Sequence, residues 1–204
     1  MPATRSIPAG EACRKFLHMT PGVLPFVLAA VDHPDPLDGV SLAVVATICV
    51  VLTAVFLALT RIVRRPDEDN YLSTVLSYPA CVLAVLVLFP ARAEFAAVVV
   101  VVLAFGDGAA SIGGRLFGKT RLPWNPEKSW AGTLAFLACA APLASLAYWL
   151  EARPAVAPGV ALACGIAAAA AGAVAESLPT RITDNARVGV AAALAVSVCG
   201  LLLA

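Results

Sequence analysis

Long apolar stretches separated by short polar clusters organise the whole chain, and seven of them, 16–31, 40–60, 71–90, 95–113, 131–150, 154–175 and 187–203, read as spans. A hydrocarbon core of about 30 Å takes about 20 helical residues to cross, and in lipid only helices or closed barrels satisfy their own backbone groups. The pattern therefore predicts an all-α, polytopic integral membrane bundle of about seven transmembrane helices. It forms a single domain over residues 1–204, with its polar motifs in loops at 106–132 and 176–187. Pro21 and Pro25 in the first span and Pro142 in the fifth each remove a backbone hydrogen bond and are expected to bend their helices. The sixth span is mostly Ala and Gly, a composition that favours close helix packing. No internal repeat is visible, so an inverted-repeat transporter is not suggested.

Composition strengthens this reading. The chain is 61% hydrophobic and 13% charged, with a mean hydropathy of +0.90, against about 45–50% apolar residues in a soluble domain. A net charge of +1 gives no sign of a nucleic-acid-binding surface. The placement of the charges says more. With the N-terminus inside, the inner segments hold Arg5, Arg14, Lys15, Arg61, Arg64, Arg65, Arg115, Lys119, Arg121, Lys128, Arg181 and Arg187, and the outer ones hold Arg92 and Arg153. Twelve against two satisfies the positive-inside rule, and the acidic 32–38 segment fits as the first outer loop. The motif loops then face the cytoplasm. Five of the six cysteines lie in apolar runs, and Cys13 stands alone near the N-terminus. They read as packing residues, because free Cys behaves as a small hydrophobe.

Against this background Asp107 stands out. It follows the Val98–Val102 run before a bilayer has been crossed, and a bare carboxylate inside the membrane costs on the order of 3 kcal/mol or more. It is expected to face a wet cavity, either in an ion pair between helices or at a metal or phosphate site. Residues 113–120 formally match the Gly-x-x-x-x-Gly-Lys-Thr expression. A P-loop, however, joins a strand to a helix, whereas here an apolar helix precedes and Pro123 and Pro126 follow. Its local chemistry still applies: glycines let backbone N–H groups approach phosphate, and Arg115 and Lys119 bring positive charge. Arg121 is explained by topology alone.

The loop continues through Trp124, Asn125, Lys128 and Trp130. Lys128 and Asn125 are candidate ligand contacts, while the tryptophans fit interfacial anchors. Further on, Glu176 ends the sixth span, and Arg181, Asp184, Asn185 and Arg187 follow. Asp107, Glu176 and Asp184 thus share one face with several cations, including Arg14, Lys15 and His18 at the start of the first span. Carboxylate oxygens with basic neighbours are the equipment of Mg²⁺-nucleotide chemistry.

The run Asp107-x-x-Ala110-x-x-x-Gly114-x-x-x-Gly118, then eight residues, then Glu127-Lys128-Ser129-Trp130-Ala131-Gly132, resembles the nucleotide-binding signature of the dolichol, phytol and farnesol kinase family. The later Glu176-Ser177 with Asp184-Asn185 and the early Arg14-Lys15-x-x-His18 also resemble family motifs. Ala131 stands where dolichol kinases typically carry Glu, which leans toward the phytol and farnesol branch. The resemblance implies phosphorylation of a membrane lipid alcohol, with CTP as donor and Mg²⁺ or another divalent cation. It implies Asp107, Glu176 and Asp184 as metal ligands or hydroxyl activators, with Lys128 as a further catalytic residue. It also implies Gly114, Arg115, Gly118, Lys119, Asn125, Lys128, Ser129, Gly132 and Asn185 around the nucleotide, and Arg14, Lys15 and His18 on the substrate side. A CTP:phosphatidate cytidylyltransferase would use similar charges, and a transporter whose inner-leaflet carboxylates carry ions is the alternative of another class.

Overall fold

A computed structural model describes residues 9–59 and 71–203. Arg5, Arg61, Arg64 and Arg65 of the sequence reading lie outside them, as does the end of the second span at Thr60. The described chain is helical apart from one small hairpin. α1 (Ala9–Met19) leads through a 3₁₀ turn (Thr20–Val23) into α2 (Leu24–Leu28), and α3 (Gly39–Ala58) and α4 (Tyr71–Leu88) follow. Next come α5 (Ala93–Val101), a π turn (Val102–Gly106) and α6 (Asp107–Phe117). Strands β1 (Arg121–Leu122) and β2 (Asn125–Ser129) then precede α7 (Trp130–Glu151), α8 (Pro158–Ser177) and α9 (Asp184–Leu203). Among the described residues six helices are long and apolar enough to cross a membrane: α3, α4, the continuous 93–117 helix, α7, α8 and α9. The chain is an integral membrane protein of the bundle class.

The first stretch differs from a single span. Pro21 is the second residue of the 3₁₀ turn and Pro25 the second of α2, each where a missing N–H leaves no helical acceptor unsatisfied. The two helices are joined by that 3₁₀ turn, with Met19, Val23 and Leu24 all in right-handed helical conformation. The stretch still runs from one end of the bundle to the other, because Lys15 meets Asp107 while His33 meets Glu151. At its midpoint Gly22 lies so close to Ala104 and Phe105 that a Cβ would stand 2.7 Å and 2.6 Å from their side chains. In α7, by contrast, the helix continues through Pro142, and α4 continues through Pro79.

The core sits around the 93–117 helix, where Phe95, Val98, Val99, Val101, Val102 and Leu103 are fully buried. α7, α8 and α9 close around it, and small residues set their spacing. A Cβ on Gly165 of α8 would stand 2.2 Å from Ser145 Oγ of α7, so only glycine permits that approach. The Ser145 hydroxyl reaches its own helix at the Ala141 carbonyl, 2.8 Å away. The cysteines of the described chain are all unpaired, with Cys164 buried in the bundle.

The polar residues divide between two ends. At one end Leu37 N–H donates to Pro90 C=O at 2.9 Å, and His33 approaches Glu151. The opposite end carries the β1–β2 hairpin, the close of α8 and the start of α9. Asp107 lies at the level of these helix ends, with ten residues of α6, about 15 Å, still to follow.

Candidate nucleotide and metal site

Five elements bring charged side chains to that second end. The π turn comes immediately before Asp107 and adds a residue to one turn of the helix; such insertions re-aim the side chains that follow. Asp107 Oδ2 accepts from Lys15 Nζ of α1 at 2.8 Å, and His18 Nε2 lies 3.5 Å from the same oxygen. The spacing of three between Lys15 and His18 places both on one face of α1. His18 Nε2 also stands 3.3 Å from the Leu103 carbonyl exposed by the π turn.

The second cation comes from the hairpin. β1 and β2 pair antiparallel, Arg121 opposite Ser129, with Leu122 almost fully buried beneath them. Asn125 anchors the turn: its side-chain amide donates to the Ser177 carbonyl at 3.1 Å, and its oxygen accepts from Glu127 N–H at 3.2 Å. This fixes the direction of β2 and carries Lys128 between two carboxylates, 2.5 Å from Glu176 Oε1 and 2.9 Å from Asp184 Oδ2. Burial pulls the Lys128 ammonium toward its neutral form, but Asp184 and Glu176 outweigh it and hold its pKa above the ordinary lysine value. Arg187 pairs with Asp184 and donates to the Ala175 carbonyl at 2.8 Å, so it ties the start of α9 to the end of α8.

One carboxylate oxygen from each of Asp107, Glu176 and Asp184 lies within 4.8 Å of the others. They line a polar cavity of about 660 Å³ with Lys15, Ser111, Gly114, Arg115, Arg121, Glu127, Lys128, Ser129, Gly132 and Thr133 on its walls. α7 opens into this cavity by its N-terminus. Ser129 caps it, accepting from Gly132 N–H at 3.2 Å. The N-terminal end of a helix carries unpaired N–H groups and a partial positive charge, which together suit an anion. Close passage of α6 over α7 is what shapes the wall: a Cβ on Gly132 would lie 2.9 Å from the Ala110 carbonyl, and one on Gly113 2.5 Å from Ala135 Cβ. The glycines of the 113–120 segment close a helix instead of opening one, so the P-loop expression has no P-loop geometry here.

Of the residues selected from sequence, Asp107, Lys128, Glu176, Asp184, Gly114, Arg115, Ser129, Gly132 and Lys15 border this cavity. Others stand elsewhere. Lys119 is exposed beyond the end of α6 and is not on the cavity wall. Gly118 packs against Ser129 Oγ and Gly114, where a side chain has no room. Asn125 and Asn185 spend their amide donors on the carbonyls of Ser177 and Thr74, 3.1 Å and 2.8 Å away. Arg14 and His18 line a neighbouring apolar groove, and His18 touches both regions through Asp107.

Arg121, assigned from sequence to topology, borders the cavity while donating to the Glu127 carbonyl at 3.2 Å. Ser111 and Thr133 were missed, although each lies four residues beyond a selected residue, Asp107 and Ser129 respectively, and so on its helix face. Trp124 and Trp130 meet edge to face, centroids 5.6 Å apart, and both are half exposed.

The chain is similar to known proteins along most of its length. The profile of a family described as the Cytidylyltransferase family matches residues 12–181. The chain is 33% identical over 142 residues to the chloroplastic farnesol kinase of Arabidopsis thaliana, covering 65% of this chain and 44% of that protein. It is 34% identical over 74 residues to the chloroplastic phytol kinase 1 of the same plant, covering 36% and 24% respectively. It is also 35% identical over 85 residues to the probable phytol kinase 2, chloroplastic, of Oryza sativa subsp. japonica, covering 42% and 28%. The matches thus span less than half the length of each of these relatives. No solved structure matches.

Proposed function

The chain belongs to the cytidylyltransferase family, and from that premise and the geometry of its site we propose that it transfers the terminal phosphoryl group of CTP to a membrane lipid alcohol of prenyl type. The observation that carries this reading is the convergence of Asp107, Glu176 and Asp184 beside Lys128, at the cavity into which the N-terminus of α7 opens. Such an arrangement suits a polyphosphate and its counter-ion. The donor set fits a hard divalent cation: three carboxylates, with no thiol or imidazole among them. Asp107, Glu176 and Asp184 would hold Mg²⁺, which when bound supplies neutralisation for the transferring group.

The remaining work falls to the chain. The N-terminus of α7, Lys128 and Arg115 receive the phosphates, and Lys128 keeps its charge throughout. Asp107, held on its α1 side by Lys15 and His18, faces the acceptor. The alcohol oxygen forms a bond to the γ-phosphorus as the bond from that phosphorus to the departing CDP oxygen breaks, and the alcohol proton passes to Asp107. CDP and the lipid phosphate leave. Phosphoryl transfer of this kind depends on positioning and charge stabilisation more than on covalent help from the protein. The surplus of basic residues at this end supports a reaction on the cytoplasmic side. Thr183→Cys is expected to resist an impermeant thiol reagent added to intact cells, and efficient labelling would reverse the orientation.

A second reading draws on the family's name: the oxygen of a lipid phosphate attacks the α-phosphorus of CTP and releases pyrophosphate. Doubly labelled CTP separates the two. Label from the γ-phosphate is expected in the lipid product, and cytidine label in the lipid instead would establish the cytidylyltransfer.

A further inference from the structure

An apolar groove of about 320 Å³ runs along the bundle between α2, α3 and α4. α3 packs chiefly against α4 and has no buried residue of its own, leaving the space toward α2 open. Leu24 and Leu28 of α2, Val45, Ile48 and Leu52 of α3 and Val82 of α4 give the groove a hydrocarbon wall. Its two ends are polar and unlike. One reaches His18, whose Nε2 lies 3.5 Å from the Asp107 oxygen that also holds Lys15, so the groove runs up to the carboxylate of the polar cavity. The other end is closed by His33 and Glu151, 3.0 Å apart and largely shielded from solvent.

We propose that this groove holds the hydrocarbon tail of the acceptor and measures its length. The hydroxyl lies at His18 and Asp107, and the tail ends against the His33–Glu151 pair. The proposal rests on the lipid-alcohol kinase reading and adds its specificity. The continuity of an apolar groove with a polar site, through one histidine, matches a molecule with a single polar head and a long apolar tail. Its dimension decides among tails. Ser41 and Phe56 of α3 border opposite ends, and the fifteen residues between their positions rise about 22 Å at 1.5 Å each. That accommodates an extended diterpenoid chain such as phytyl or geranylgeranyl, leaves part of the groove empty with farnesyl, and is far too short for a polyprenol. A polar pair at the blind end favours a tail that stops before it, because a methyl group pressed against it would bury polar atoms without compensation.

Tryptophan substitutions at two depths test the ruler. Val45→Trp, near the His33–Glu151 end, is expected to lower the phytol-to-farnesol ratio of kcat/KM by about tenfold or more, the scale set by adding or removing methylenes in an apolar pocket. Leu28→Trp, on the opposite wall at the same end, is expected to do the same. Leu52→Trp, near the hydroxyl end, is expected to lower both activities together and leave the ratio unchanged. Binding is measured in parallel as the rise in melting temperature of detergent-solubilised protein on adding phytol, without nucleotide. Wild type is expected to gain and Val45→Trp to lose that rise. An unchanged ratio and an unchanged phytol-induced rise in both far-end variants overturn the ruler. If wild-type protein phosphorylates neither alcohol, the kinase reading fails. The binding arm then decides the groove: a phytol-induced rise abolished by Val45→Trp and Leu28→Trp upholds it as a tail site, and absence of the rise removes it.

Discussion

The 93–117 helix and α3 have nearly the same appearance in sequence and opposite places in the structure. Both are long, apolar and rich in valine, yet seven of the nine residues of α5 are buried while none of α3 is. Hydropathy records the gain on leaving water, which lipid and protein interior offer alike, so it does not separate a lipid-facing helix from a central one. Neighbours do. The 93–117 helix passes segments that carry glycine and alanine at the crossings, where Gly172 and Gly189 admit Val102 and Leu103, whereas α3 is built of branched side chains with a single glycine at its start. Without a hydrophobic force between helices in lipid, close packing of small residues is what gathers a bundle. The α7–α9 half with the 93–117 helix is therefore a packed body that holds the carboxylates. The α1–α4 half is a looser wall with a groove, joined to the body's chemistry by Lys15 and His18.

The largest expected effect lies at that junction. Asp107→Asn is expected to lower kcat by about 10³-fold, the scale of removing a group that handles the proton in the transition state. The change also strands the buried Lys15, and breaking a buried pair costs about 3–5 kcal/mol. Adding Lys15→Met removes the stranded charge, so the double variant is expected to recover melting temperature without recovering turnover. Recovery of both would make Asp107 a structural partner and leave the packed half without its acceptor-side carboxylate.

Within the body, Lys128→Ala is expected to lower kcat/KM by about 10²-fold, comparable to loss of a preorganised stabiliser of phosphate charge. Arg121→Ala is expected to lower it by less than about tenfold, since that guanidinium is half committed to the Glu127 carbonyl at an exposed position. Equal losses in steady-state assays would show that the hairpin as a whole, and not the lysine between Glu176 and Asp184, defines the nucleotide side.

What the sequence made legible follows the same division. Six of the seven spans were readable to within a few residues because each is a run of apolar positions ended by charge, whereas the first, expected over 16–31, is built from α1, a 3₁₀ turn and α2. The three carboxylates and Lys128 were readable because charged residues beside membrane spans are scarce. The π turn was not, since the Val102–Gly106 stretch carries no residue type that announces an added backbone residue. Nor was the structural use of Asn125 and Asn185: their acceptors are carbonyls at Ser177 and Thr74, and every residue has a carbonyl. Lys119 seemed equivalent to Lys128 as a basic residue in a glycine-bearing loop. It lies just beyond the end of α6, while the hairpin turns Lys128 back into the site. The groove was invisible because its existence depends on how far α3 stands from α2, which composition does not encode.

Packing gives a smaller effect and a direct test of the comparison. Gly113→Leu places side-chain atoms where a Cβ alone already stands 2.5 Å from Ala135 Cβ, and overpacking of this kind costs about 1–3 kcal/mol. Val51→Leu on the exposed face of α3 is expected to change stability by no more than about 0.5 kcal/mol. Thermal unfolding of the two variants in one detergent compares them directly. Similar losses would mean that α3 is packed as tightly as the body.

The smallest expected effect concerns pH and the fixed charge of the body. Burial acts to lower the Lys128 pKa, the carboxylates of Asp184 and Glu176 act to raise it, and the raising prevails. A group whose folded pKa lies above its unfolded value contributes stability that is fully present below the unfolded value, about 10.4 for lysine. That contribution is lost only as pH rises through the folded value, which here lies higher still. Lys128 therefore keeps its proton across the whole range from about pH 6 to about pH 9. Lys128→Arg keeps a fixed positive charge beside Glu176 and Asp184 and retains the CTP phosphates, so the titration of those groups cancels when its kcat/KM is divided by that of the wild type. The ratio is expected to stay flat across this range, even if both rates vary. A ratio that drifts by more than about threefold between pH 7 and pH 9 would mean that Lys128 exchanges its proton there. It would then act as an acid or base, and the constant positive charge assigned to it would have to come from Arg115 or Arg121 on the same wall.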